Sequence, residues 1–124
     1  MRLALARLVP ACLAAVLSIP AQAADLVMFE QEGCPFCAAW NRDVAPVLPK
    51  TDEGKRLTLR RIDIRAPRPP DLQALGDVRV TPTFVVLEAG REVGRIVGYA
   101  GDEQFWSLLG PIVRRLDNKG AAQP

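Results

Sequence analysis

The sequence contains no histidine. That removes histidine-based catalytic triads, imidazole bases and the commonest mixed zinc-ligand sets. Cysteine is scarce too: three are present, at positions 12, 34 and 37, too few for a four-thiolate metal site or a disulfide framework. No metal is expected. The chain also lacks an excess of either charge. Its formal charge is +2, and without Arg2 and Arg7 the basic and acidic side chains balance at 14 each. A nucleic acid backbone wants a clustered basic face, so no nucleic-acid partner is expected. Arg56, Arg60, Arg61, Arg65 and Arg68 form the one local concentration, read as solvated surface ahead of a docking patch for an acidic partner. No apolar run reaches the roughly 20 residues that span a bilayer. No glycine-rich phosphate cradle or paired-carboxylate site is present, and no cofactor is expected.

What is present begins with a leader. Met1 and Arg2 open a short basic region, residues 8–19 are mostly apolar, and Ala21-Gln22-Ala23 offers the small residues a signal peptidase reads. A cleaved signal peptide over residues 1–23 is expected, and with it export. Cys12 offers a weak lipoprotein-type processing site, but Pro10 fits it poorly and apolar sequence continues beyond it, so a lipid anchor is not expected. What remains suits one small domain over 24–119 with a frayed tail at 120–124.

Residues 26–29 suit a buried strand. Gly33 breaks the pattern, and a helix follows from Cys34, with Pro35 in its first turn and Phe36, Trp40, Val44, Val47 and Leu48 as an apolar face. Pro46 should kink or end it. Residues 56–64 read as a second strand in which Leu59 and Ile62 are out of phase, as at a bulge or a misplaced boundary. After the proline-rich stretch 66–70, Asp71 can cap a short helix carrying Leu72 and Leu75. Residues 83–87 give the strongest strand signal and form a hairpin with 91–97 around Ala89-Gly90. Asp102 can cap a last helix with Phe105, Leu108, Leu109, Ile112 and Leu116 on one face, kinked or split at Pro111. This order predicts an α/β fold with a mixed central sheet and helices on both faces.

Cys34-Pro35-Phe36-Cys37 is the chemical signal. A thiol pair two residues apart at a strand-to-helix junction suits thiol–disulfide exchange, in which a thiolate displaces sulfur through a mixed disulfide. Unpaired N–H groups at the helix start favour charge on Cys34, which makes it the attacking sulfur; Cys37, deeper in the helix, resolves the intermediate. A structural disulfide is the blander reading, but a bridge between these two closes almost no loop.

Cys34-Pro35-Phe36-Cys37 together with Val80-Thr81-Pro82-Thr83-Phe84 resembles the thioredoxin-like superfamily over most of residues 26–116. The resemblance implies a thioredoxin-like fold lacking the usual extra amino-terminal strand and helix. It also implies a cis peptide before Pro82, with Thr81 presenting backbone groups to a substrate segment and Gly33, Pro35 and Phe36 shaping the site. Three departures stand out: Gly33 replaces the familiar tryptophan, Pro-Phe replaces Gly-Pro, and Met28 takes the place of a buried aspartate. Arg61 approximately matches a nearby lysine but is a poor proton shuttle; Glu30 and Glu32 are read as solvated surface carboxylates ahead of a local influence on proton transfer.

The leader, residues 28–34, Trp40 and the 50–54 loop resemble small periplasmic thioredoxins encoded with bacterial sulfur-oxidation proteins. That resemblance implies a periplasmic reductant that keeps the cysteine of a sulfur-carrier protein available. A monomer is expected, and because the periplasm does not supply cytosolic reducing conditions, a membrane thiol-transport protein is expected as electron donor. Two other readings stay open: a periplasmic dithiol oxidase or disulfide isomerase, and a noncatalytic binding or assembly factor of the same shape.

Overall fold

The computed structural model describes residues 24–121. The expected signal peptide, with Cys12, and residues 122–124 of the expected tail lie outside the described residues. Strand β1 (Ala24–Glu30) sits inside a four-stranded sheet, parallel to β2 (Leu57–Asp63) and antiparallel to β3 (Thr83–Glu88), which pairs antiparallel with β4 (Arg91–Val97). Parallel neighbours need a crossover, and helix α1 (Pro35–Asp43) provides it. The β3–β4 hairpin turns through Ala89 and Gly90, both left-handed at φ 49° and 76°, the two-residue geometry that matches strand twist.

The sheet is covered on both faces, which is why β1 and β3 read as nearly unbroken apolar runs. On one face Leu26, Met28, Phe84, Val86 and Ile96 pack against Cys37 and Trp40 of α1, its C-cap Val44, and Phe105, Leu109 and Ile112 of helix α2 (Asp102–Ala121). On the other face Val27, Phe29, Val85 and Leu87 lie under Leu72, with Ile62, Leu75 and Val78 alongside. The mixed, helix-flanked sheet is therefore the architecture found.

Several local expectations are corrected. The short helix expected from Asp71 is a single 3-10 turn, Pro70–Leu72, so the second face is closed by irregular chain and both long helices share the first. The surrounding prolines lack N–H groups and fix φ, leaving one turn to bury Leu72. α2 is not split at Pro111. That residue is exposed, so the carbonyl it leaves unpaired can turn to water while Phe105, Leu109, Ile112 and Val113 hold the buried side. β2 carries no bulge: its register with β1 runs unbroken from Ala24↔Leu57 to Glu30↔Asp63, and Leu59 and Ile62 are out of phase because they pack on opposite faces. The irregularity falls between Val86 and Leu87, where Val93 is the extra residue on β4. Phe36, Val47 and Leu108, placed on apolar faces by spacing, are 60%, 42% and 43% exposed.

α1 ends as Pro46 requires, with the N–H groups of Val44 and Ala45 both donating to the Trp40 carbonyl. The chain then returns through 3-10 turns at Leu48–Lys50 and Gly54–Arg56. The Thr51 hydroxyl donates to the Leu48 carbonyl at 2.8 Å and accepts from the Gly54 N–H at 3.0 Å. A Cβ on Gly54 would overlap that same carbonyl. Gly54→Ala should therefore lower unfolding stability by about 1–3 kcal/mol, the usual cost of overpacking, read as a reduced urea midpoint at unchanged slope.

Tyr99, the only tyrosine, joins α1 to the segment before α2 by donating to Asp43 Oδ2 at 3.2 Å. Burial, helped by that hydrogen bond to a carboxylate, pushes its hydroxyl up to about 12. A raised acid pKa means the fold favours the protonated phenol. Its contribution is complete below the ordinary tyrosine value of about 10 and is lost as pH climbs from there through 12. Ultraviolet titration should place this single phenolate transition near 12 in the native protein and near 10 in denaturant, and Tyr99→Phe should flatten alkaline loss of stability across that window. A native transition at the ordinary value would show that Tyr99 is not held this way.

Candidate active site

The site is built where β1 ends and α1 begins. Gly33, left-handed at φ 78°, turns the chain, and Cys34 becomes the N-cap of α1 with Pro35 in the first turn. Cys34 Sγ accepts from the Cys37 N–H at 3.1 Å, so the sulfur occupies the place a serine or aspartate oxygen takes in an ordinary cap. Cys34 and Cys37 are joined as a disulfide with their Cα atoms 5.2 Å apart. Cys34 is half-buried, whereas Cys37 is 4% exposed and belongs to the core. Only one sulfur is thus open to an incoming group.

The opposing wall is the loop entering β3. The Thr81–Pro82 peptide is cis, and the Thr81 carbonyl lies 3.5 Å from Cys34 Sγ, where it can accept from that thiol when the pair is reduced. The loop is tied at both ends: the Thr83 hydroxyl donates to the Val80 carbonyl at 2.6 Å, and the Gly98 N–H donates to the Pro82 carbonyl at 2.8 Å. Gly33, Cys34, Pro35, Phe36 and Thr81 line one cleft of about 230 Å³, with Pro82 buried behind it. Phe36, between the cysteines, points out and is 60% exposed.

Beneath the pair, Met28 is fully buried and offers no ionisable group. Arg61 lies opposite it in register, 3.5 Å from its sulfur, 2.9 Å from Glu30 Oε2 and 5.7 Å from the centre of the Trp40 ring. Glu30 shares a second cleft, of about 410 Å³, with Glu32, Asp63, Asn41 and both cysteines. The Arg65 backbone N–H donates to Asp63 Oδ1 at 2.8 Å and holds that carboxylate below its usual range.

Sequence reasoning missed Asn41 and Asp63 in this cleft and the exposed apolar side chains of Val80 and Val97. Asp63 had a usable signal: parallel strands place their carboxyl ends together, and a residue closing β2 stands beside one closing β1. Val97 becomes visible only through its pairing with Thr83. Among the described residues no group of histidine, cysteine, aspartate or glutamate is clustered to hold a metal ion, and no helix is long and apolar enough to cross a membrane.

A family model described as a thioredoxin-like domain matches residues 19–111. Among solved structures, the reduced periplasmic thioredoxin SoxS from Paracoccus pantotrophus is 41% identical over 75% of this chain and 98% of its own, with a TM-score of 0.71. Malassezia sympodialis thioredoxin, Mala s 13, shares the fold at 21% identity over 73% of this chain and 76% of its own, with a TM-score of 0.52. A malarial protein does so at 19% over 73% and 97%, with a TM-score of 0.54. Among curated proteins nothing matches the chain. With most of its length under that model and a disulfide of thiol–disulfide oxidoreductase type opening α1, the chain belongs to the thioredoxin-like family.

Proposed function

We propose that this oxidoreductase works in the periplasm as a reductase of protein disulfides, with the protein that carries sulfur in sulfur oxidation as its substrate. The observation that carries the reading is the unequal burial of the pair: one sulfur at a helix N-cap facing a free carbonyl, the other sealed in the core. In the reduced protein the Cys34 thiolate attacks a substrate disulfide, one substrate sulfur leaves and takes a proton, and a mixed disulfide forms. Cys37, deprotonated, then attacks Cys34 Sγ and expels the second substrate sulfur, which is protonated in turn. Two electrons and two protons pass to the substrate, and the Cys34–Cys37 disulfide remains. Its re-reduction takes a dithiol supplied through a membrane thiol-transport protein.

Two observations favour the reducing direction. The helix start stabilises a Cys34 thiolate, which by itself would make the pair oxidising. Against this, Glu32 stands in the larger cleft beside the cysteines with no cation paired to it among the described residues, while Glu30 and Asp63 there are paired with Arg61 and Arg65. Negative charge there disfavours the thiolate and weakens the reduced form's advantage. The second support is likeness to a protein that is itself called a periplasmic thioredoxin. Export follows from cleavage of the leader near Ala24. Glu30, held by Arg61 in the cleft that Cys37 reaches, is the carboxylate placed to influence proton transfer where Met28 cannot.

Cys37→Ser should accumulate a mixed disulfide between Cys34 and its substrate in periplasmic extract, and Cys34→Ser should not; equal trapping by both would reverse the roles assigned here. Equilibration with glutathione should give a reduction potential below about −200 mV, whereas one near −120 mV would mark an oxidase.

A further inference from the structure

The wall opposite Cys34 is delivered by a stretch with little regular structure of its own. Beyond the 3-10 turn Pro70–Leu72 the Leu75 N–H donates to the Leu72 carbonyl, and after that residues 76–81 make no backbone–backbone hydrogen bond among the described residues. Yet the Thr81 carbonyl stands 3.5 Å from Cys34 Sγ. Side chains supply the missing ties. Arg68 donates to the Leu75 carbonyl at 2.7 Å and to the Gly76 carbonyl at 3.2 Å, and Arg95 donates to the Asp77 carbonyl at 2.9 Å. Three successive carbonyls thus end on two guanidinium groups.

Gly76 and Asp77 are exposed, so water can satisfy their carbonyls and the arginine bonds are not needed to offset burial. What they add is a fixed path for the chain. Arg95 lies on β4 opposite Val85, so close to the loop that a Cβ on Gly76 would come within 3.9 Å of its Nη2, and Glu92 on the same strand holds its guanidinium. Gly98, just past the end of that strand, donates to the Pro82 carbonyl at 2.8 Å. β4 therefore grips the chain at Asp77 and again at Pro82, and residues 78–81 form a short arc between the two grips. Within the arc Val78 reaches the core and the Thr83 hydroxyl holds the Val80 carbonyl, while the Val80 side chain is exposed.

We propose that Arg95 is a positioning residue for the substrate: its clamp on the Asp77 carbonyl, continued upstream by Arg68, sets where Thr81 stands and so how well an extended polypeptide is received beside Cys34. This rests on the reductase reading and names what the site needs in order to accept protein disulfides. A disulfide within a polypeptide meets both walls, Cys34 and the Thr81 carbonyl. A small disulfide with no backbone needs Cys34 alone. Cys34 is held as the N-cap of α1 and does not depend on the loop, so loosening the arc costs the first reaction and spares the second. A misplacement of about 1 Å in a group that positions a substrate can slow a reaction ~100-fold. Lysine in place of Arg95 keeps the charge but loses the planar fork that engages Glu92 and the Asp77 carbonyl at once.

The test compares the reduced wild-type protein with Arg95→Ala, Arg95→Lys and Arg56→Ala on two oxidants, a short extended peptide dimerised through one cysteine disulfide and bis(2-hydroxyethyl) disulfide. Second-order rate constants are read by acid quench and mass spectrometry. Arg95→Ala should slow reaction with the peptide ~10- to 100-fold and leave the small disulfide within about twofold of wild type, and Arg95→Lys should recover part of the loss. Arg56→Ala removes a comparable arginine contact, to the Val113 carbonyl and Asp117 of α2, and should leave the ratio of the two rates unchanged, which separates lost positioning from lost stability. Should Arg95→Ala not fold, Glu92→Gln, which weakens the hold on the guanidinium, carries the same comparison together with Arg95→Lys. Equal slowing of both disulfides, slowing of neither, or the same change of ratio in Arg56→Ala would overturn the proposal and leave the reductase standing. A wild-type protein that reduces the small disulfide but not the peptide would remove the reductase reading, and this inference with it.

Discussion

Burial of Trp40 is the contact on which the placement of the site depends. α1 has nine residues and buries only Cys37 and Trp40, so its hold on the sheet is largely that one indole. The ring lies 5.0 Å from Phe84 and 5.8 Å from Phe105, which themselves meet at 5.0 Å. Aromatic pairs of this kind contribute about 0.5–1.5 kcal/mol each beyond the area they bury. Phe84 follows Thr83 and Pro82 in the chain. The same cluster therefore fixes both walls, the cysteine pair through α1 and the Thr81 carbonyl through the start of β3. Trp40 Nε1 has no hydrogen-bond partner, which costs roughly 1–3 kcal/mol, and the Arg61 guanidinium over the ring offsets part of this.

Charge is arranged with the same economy. The arginines concentrated between 56 and 68 do not form a free basic face. Arg56 pairs with Asp117, Arg60 with Asp25 and Asp71, Arg61 with Glu30 and Arg65 with Asp63, while Arg68 donates to the carbonyls of Leu75 and Gly76. Exposed pairs of this kind add little to stability. Their consequence is electrostatic: the one basic stretch is neutralised within the chain, and the field at the disulfide is left to the helix start and the acidic cleft.

Elements whose signal was local could be read from the sequence. Pro35 after Cys34 marked the start of α1, Pro46 its end, and the β-branched run into Ala89-Gly90 a hairpin. What misled was chemistry whose outcome depends on neighbours. Pro111 breaks a helix only if its lost hydrogen bond cannot reach water, and its exposure was not visible in advance. Leu59 and Ile62 seemed to slip because a strand covered on both faces has no single apolar side. In the site, the cysteine pair and Thr81-Pro82 were legible because motif spacing carries them. The acidic cleft was not, since Glu30, Asn41 and Asp63 are brought together by the β1–β2 register and by α1, and no one-dimensional pattern links them.

The disulfide itself argues for exchange over staple. By loop entropy a bridge across so few residues constrains the unfolded chain by only about 2 kcal/mol, and here both ends already lie in a capped helix turn. A staple would serve best with both sulfurs buried, whereas the pair presents one and hides the other. Exposure on one side makes attack selective, burial on the other keeps the resolving sulfur from foreign partners, and the cap N–H steadies Cys34 as the thiolate that attacks the substrate. Each feature is idle in a structural cross-link and necessary in a two-step exchange, so function can be argued from the asymmetry rather than from the presence of two cysteines.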